Sequence, residues 1–148
     1  MTSMLTLATW FWSFVASAVL PWVNAELLMV ALLPTAAAHG KLAALAGAAV
    51  AGQMAGKTAI YWMARGGTTR MARGRMATEM ERWRPRLTSP SSAVPLLFAS
   101  AAIGFPPLFA LTILAGSLQM RFRLFFLAST VGRIVHFGAI ALIPALLA

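Results

Sequence analysis

Glu26 and Arg133 are the residues whose charge and placement most need a physical reason. Glu26 is the sole acid outside a basic segment that holds the other two, Glu79 and Glu81, and it lies within a long apolar stretch just after Pro21 and Asn24. Arg133 lies well inside the last apolar run, with His136 one helical turn further on and therefore on the same helix face. A charged side chain at the centre of a bilayer costs about 2.5 to 3.5 kcal/mol on insertion scales, so each must be paired, neutralised or turned toward water. A guanidinium suits a carboxylate, and its planar fork equally suits a phosphate. Two chemistries follow: a structural ion pair, or an anion site in which Glu26 pairs with Arg133 when empty or exchanges a proton. Asn24 is placed to cap a helix with Glu26 in its first turn, where the dipole favours an anion. A plain cap at a kink is the simpler account of both. Gln53 and His136 would line a polar path with them, although His136 alone reads as hydrogen bonded inside a bundle. Lys57 is a further path candidate, but it stands close enough to the end of its run to snorkel to the surface. His39 and Lys41 read as interface anchors.

The elements that must position these residues are apolar and helical. Of 148 residues 60% are hydrophobic and 10% charged, against about 25% charged in soluble domains. Mean hydropathy is +0.80. Both argue against a water-soluble domain. Twelve Lys and Arg face three acids, all Glu, giving a net charge of +9. A carboxylate metal cage is excluded, and without cysteine there is no disulfide, thiolate site or Cys nucleophile. No metal and no cofactor are expected. At about 20 residues per crossing the chain has room for at most about five or six spans. Residues 4–20 have no preceding Lys or Arg, so they are expected to stay in the protein rather than act as a cleaved signal.

Residues 4–38 form a broken apolar hairpin, interrupted at Pro21, Asn24 and Glu26. Residues 42–64 form an uninterrupted run of about 34 Å as a helix, enough to span. Residues 92–120 form a second broken hairpin, with Gly104, Pro106 and Pro107 at its tip, where two prolines remove backbone donors. Residues 124–147 form a second uninterrupted span. Between the halves, residues 65–90 carry seven arginines, and Met76, Met80 and Trp83 recur at helical spacing. That pattern predicts a basic interfacial helix. The positive-inside rule then puts 65–90 in the cytoplasm of a multi-pass plasma membrane protein, with Arg121 and Arg123 on the same side.

A shift of 80 positions aligns the two breaks, Lys41 with Arg121, Gly52 with Gly132 and Gln53 with Arg133. The expected architecture is therefore an all-α integral membrane domain over 1–148. It would be an inverted repeat of two re-entrant hairpins, each followed by a spanning helix. Paired interrupted segments of this kind point to a transport site near the midplane. Gly52, Gly56, Gly116 and Gly132 suit close helix packing. The A-x-x-x-x-G-K-T run ending in Gly56, Lys57 and Thr58 is not a phosphate loop, because it lies within an apolar helix rather than after a strand.

These residues resemble the DedA or VTT membrane-protein family, also called the SNARE-associated Golgi protein family, and most closely its small bacterial branch. Gly52, Gly56, Tyr61, Trp62, Arg65 and Gly66 are similar to the family's G-x-x-x-G-D-x-x-x-Y-W-x-G-R pattern. Ala115, Gly116, Met120, Phe122, Phe125 and Gly132 follow its second pattern, and Pro21, Asn24, Ala25 and Glu26 resemble the branch's first break. Gly132, Arg133, His136 and Phe137 resemble its glycine, cation, then cation-and-aromatic arrangement. The resemblance covers about residues 13–138 and implies facing re-entrant hairpins and lipid translocation. Undecaprenyl phosphate or a phospholipid would be the cargo, in the bacterial inner membrane. Lys57 stands where the family has Asp, a charge reversal, and the arginines many members place around the second break are missing.

The leading expectation is a lipid translocator, not an enzyme, in which Arg133 binds a phosphate headgroup. The other two are a proton-coupled exporter of small cations and a non-transporting scaffold whose basic segment binds anionic inner-leaflet lipid or a protein. Homo-oligomerisation is open, and nucleic-acid binding has only charge in its favour.

Overall fold

A computed structural model describes residues 3–20, 24–66, 75–105 and 107–147. Every regular element among them is a helix. Ser3 opens α1 (Met4–Val19), its hydroxyl accepting from the Thr6 N–H at 3.1 Å. Asn24 opens α2 (Ala25–Ala38), its Oδ1 accepting from the Glu26 and Leu27 N–H groups at 2.8 and 3.1 Å. A reversing turn follows, in which Gly40 takes φ +65° and the Lys41 N–H donates to the Ala36 carbonyl. Helix α3 (Leu42–Arg65) comes next, then the basic helix α4 (Arg75–Leu87). Pro90 starts α5 (Pro90–Ile103), at a position where its missing N–H costs nothing. Gly104 ends α5 in the left-handed region at φ +93°, and Pro107 precedes α6 (Leu108–Ser117). Helix α7 (Phe122–Leu147) completes the order.

Phe122–Ile143 is long and apolar enough to cross a membrane. Two uninterrupted spans were expected, but α3 does not meet the same test although it has 24 residues. Its small alanines and glycines carry little apolar surface, and Gln53 and Lys57 interrupt them. The broken hairpins correspond to the shorter apolar helices α1 with α2 and α5 with α6.

The chain divides into two compact units, residues 1–56 with 133–148, and residues 57–132. The first has a core of Trp10, Phe14, Met29, Leu33, Leu45 and Phe137. Within it, a Cβ on Gly52 would stand 2.5 Å from the Phe11 carbonyl oxygen and 2.7 Å from Phe14 Cβ. Only glycine lets α1 lie this close to α3. Gly56 faces Ala18 of α1 in the same way.

The second unit has a core of Ile60, Tyr61, Leu97, Leu111, Leu114 and Phe125. Helix α6 is apolar on every side and correspondingly buried from Leu108 through Gly116 apart from Phe109. Helix α4 is two-faced: Met80 and Leu87 are buried while Glu81, Arg82 and Arg86 are exposed. The Met76 side chain and residues 70 and 73 of the expected basic stripe lie outside the described residues. A Cβ on Gly132 would meet Ala101 Cβ at 2.5 Å and the Phe98 oxygen at 2.7 Å, and one on Gly116 would run into the Tyr61 carbonyl.

Candidate functional site

The site is built within the first unit, from the start of α2 and the final part of α7. The Asn24 cap fixes where α2 begins, and so places Glu26 in the first turn. Arg133, His136 and Phe137 present themselves from α7, the first two a helical turn apart. Arg133 Nη1 lies 3.6 Å from Glu26 Oε1, and His136 Nε2–H donates to that same oxygen at 3.0 Å. The ring nitrogen facing the carboxylate must be the protonated one, since an ionised carboxylate only accepts. The guanidinium also lies over the Phe137 ring, 5.6 Å from its centre. Phe137 is itself held edge-on by Phe14 at 5.7 Å, so an aromatic wall backs the cation.

The arrangement is lopsided. The Arg133 side chain is 7% exposed and that of Glu26 40%. Arg133 Nε and Nη1 are buried and make no hydrogen bond among the described residues. The 3.6 Å approach to Glu26 is close enough for charge attraction but too long for a hydrogen bond. A guanidinium has five N–H donors in a fixed fork, and leaving buried donors unmet costs about 1 to 3 kcal/mol each. Chemically the site is a dry cation whose donors can accept one more anionic oxygen, beside a half-exposed carboxylate that can rotate away.

The other candidates separate into distinct roles. Asn24 acts through its cap. Gln53 is buried, and its amide donates to the Phe14 carbonyl at 3.3 Å and to Ser17 Oγ at 2.5 Å, fastening α1 to α3. Lys57 belongs to the second unit, where it is 4% exposed with its Nζ 5.0 Å from the centre of the Phe109 ring. It packs inside that unit instead of reaching the surface as the snorkelling reading expected. Gly104 and Pro107 flank the second break, and Pro21 and Pro106 lie outside the described residues. No group of three or more metal-ligating side chains occurs among the described residues.

A second polar cluster has no counterpart among the residues singled out by charge or spacing. In the second unit the Tyr61 hydroxyl donates to the Met120 carbonyl, and Arg65 Nη1 donates to both, at 2.8 Å to Tyr61 and 3.2 Å to Met120. The spacing of Tyr61 and Arg65 along one helix face was visible, whereas the carbonyl they meet, 59 positions from Tyr61 in the chain, was not. No family model, curated protein or solved structure matches the chain.

Proposed function

We propose that the protein is an integral membrane lipid translocator of the DedA/VTT type, acting on a lipid that carries a phosphate, such as undecaprenyl phosphate or a phospholipid. The observation that carries this reading is the buried Arg133 guanidinium, with donors unmet, on a helix apolar enough to span a membrane. A phosphate offers the oxygens that Nε and Nη1 lack. As it binds, Glu26 gives up its attraction to Arg133 and stays held by His136; when the lipid leaves, Glu26 returns. No bond is made or broken.

Three further features support the setting. Helix α7 exposes Leu127, Val131, Ile134 and Leu142 at helical spacing, as a lipid-facing surface would. The interrupted apolar helices recur in both units, and Gly52 and Gly132 meet the same three atom types, a carbonyl oxygen, a Cβ and the next backbone nitrogen, along α1 and α5. That likeness favours a repeat. The arginine-rich segment 65–90 favours a cytoplasmic location for that segment in the bacterial inner membrane.

The test is reconstitution in liposomes with a fluorescent lipid phosphate. Arg133→Ala and Glu26→Gln should abolish accelerated movement between leaflets; wild-type rates in both would refute the reading. The hydrogen bond between Glu26 and His136 also favours a second reading, proton-coupled export of a small cation. A proton-dependent cation flux that Glu26→Gln removes, in liposomes where lipid does not move, would select that one.

A further inference from the structure

Within the second unit, a cavity of about 520 Å³ opens where the end of α4 and the start of α5 meet the turn between α6 and α7. Its size falls in the range of about 300 to 1,000 Å³ typical of small-ligand sites. Leu87, Leu118 and Leu124 form an apolar wall, Thr88, Gln119 and Arg121 supply polar groups, and no carboxylate among the described residues lines it. The mixture matches an amphiphile with an anionic end.

The turn that forms one wall is held in place from behind. Tyr61 and Arg65 both donate to the Met120 carbonyl, which fixes the residues on either side of it. Gln119 takes φ +55°, a left-handed conformation that glycine adopts freely and a long side chain resists. The corresponding turn of the first unit has Gly40 at φ +65°. A side chain kept where glycine would be easier implies a use for it, and Gln119 lines the cavity. Arg121 is exposed and its side chain makes no ion pair or hydrogen bond among the described residues, so its guanidinium is available. It is also the residue immediately before the candidate span Phe122–Ile143. In a membrane that is the headgroup level, where an arginine meets anionic lipid.

From this cavity we infer that the second unit holds an anionic phospholipid at its surface, with the phosphodiester on Arg121 and Gln119 and the glycerol and first acyl carbons against Leu87, Leu118 and Leu124. This is a site for a resident lipid, separate from the Arg133 cluster. It shares with the proposed function only the membrane location.

The experiment is native mass spectrometry of the full chain in neutral detergent, titrated with phosphatidylglycerol, phosphatidylcholine or inorganic phosphate. The wild type should retain a phosphatidylglycerol that phosphatidylcholine does not replace. Arg121→Gln should weaken retention about five-fold, the effect of one headgroup cation. Gln119→Gly should also weaken it while raising the melting temperature, because the strained residue is relieved. Arg84→Gln, at an arginine of α4 outside the cavity whose guanidinium is already paired with Glu81 at 3.0 Å, should change nothing. Retention unchanged in Arg121→Gln, or lowered as much by Arg84→Gln, overturns the inference. Displacement by inorganic phosphate at equal concentration would make this a free-anion site and overturn the lipid assignment. Arg133→Ala should leave this lipid bound, so failure here and failure of the translocation reading give different results.

Discussion

Arg133 Nη1 stands 3.6 Å from Glu26 Oε1 although 107 residues separate them in the chain, and the contact joins the first turn of α2 to the buried face of α7. Removing one partner of such a pair leaves an uncompensated charge, whereas removing both does not. Glu26→Gln should therefore destabilise the protein by about 3 kcal/mol, and adding Arg133→Met should recover most of the loss. Unfolding in detergent micelles checks this. A double variant no more stable than Glu26→Gln would show that the two charges do not act on each other.

His136 adds a hydrogen bond to a charged group, a kind that contributes about 1.5 to 3 kcal/mol. His136→Ala should cost about 2 kcal/mol in the same assay, and His136→Gln, which keeps a donor, should recover much of it. Equal losses in the two variants would mean that the ring acts by packing against Phe137, which it meets edge-on at 5.1 Å, and not by its proton.

The glycines make a sharper comparison, since close approach differs among them. Gly52→Ala puts a methyl 2.5 Å from the Phe11 oxygen, which is backbone and cannot move aside cheaply. It should cost about 1 to 3 kcal/mol by forcing α1 away. Gly47→Ala and Gly138→Ala meet nothing within 4 Å and lie inside helices. They should be neutral or stabilise by up to about 1 kcal/mol. Similar melting shifts in all three would contradict the packing described for α1 and α3.

The arginine face of α4 is predicted to bind membranes without supporting transport. Arg82 and Arg86 both lie over the Trp83 ring, at 5.6 and 5.3 Å, so the helix carries an aromatic and cationic surface. Replacing Arg82 and Arg86 by Gln should weaken binding of the isolated α4 peptide to anionic vesicles by about 1 kcal/mol per residue. Lipid movement by the full chain should persist. Loss of function by these two changes alone, with translocation never detectable, would favour the scaffold reading.

Much of the helical order was legible because proline, glycine and capping residues mark breaks locally. Asn24 and Gly104 announce their helix ends by type, and the spacing of Met80 and Trp83 announces a two-faced α4. The side-chain roles were less legible, because they depend on which helices touch. Gln53 looked like a polar lining residue, but its amide reaches Ser17 and the Phe14 carbonyl across a contact that glycine at position 52 makes possible. Lys57 looked able to reach the surface, but it packs over Phe109 inside its own unit. The span expected over α3 rests on its length and continuity, and its alanines and glycines fill that length without making it as apolar as Phe122–Ile143.

Lipid translocation as proposed depends on Arg133 taking a lipid phosphate. The most direct measurement is phosphorus-induced dephasing of isotope-labelled arginine side-chain nitrogens by solid-state NMR, in liposomes of a phosphate-bearing lipid. The difference between the wild type and Arg133→Lys isolates the one guanidinium. A bound phosphate puts phosphorus within about 4 Å of those nitrogens, the reach of a two-pronged hydrogen bond. Strong dephasing of the Arg133 signal, retained in Glu26→Gln, is expected if the phosphate is bound there. An Arg133 signal that stays undephased with lipid in excess would contradict it.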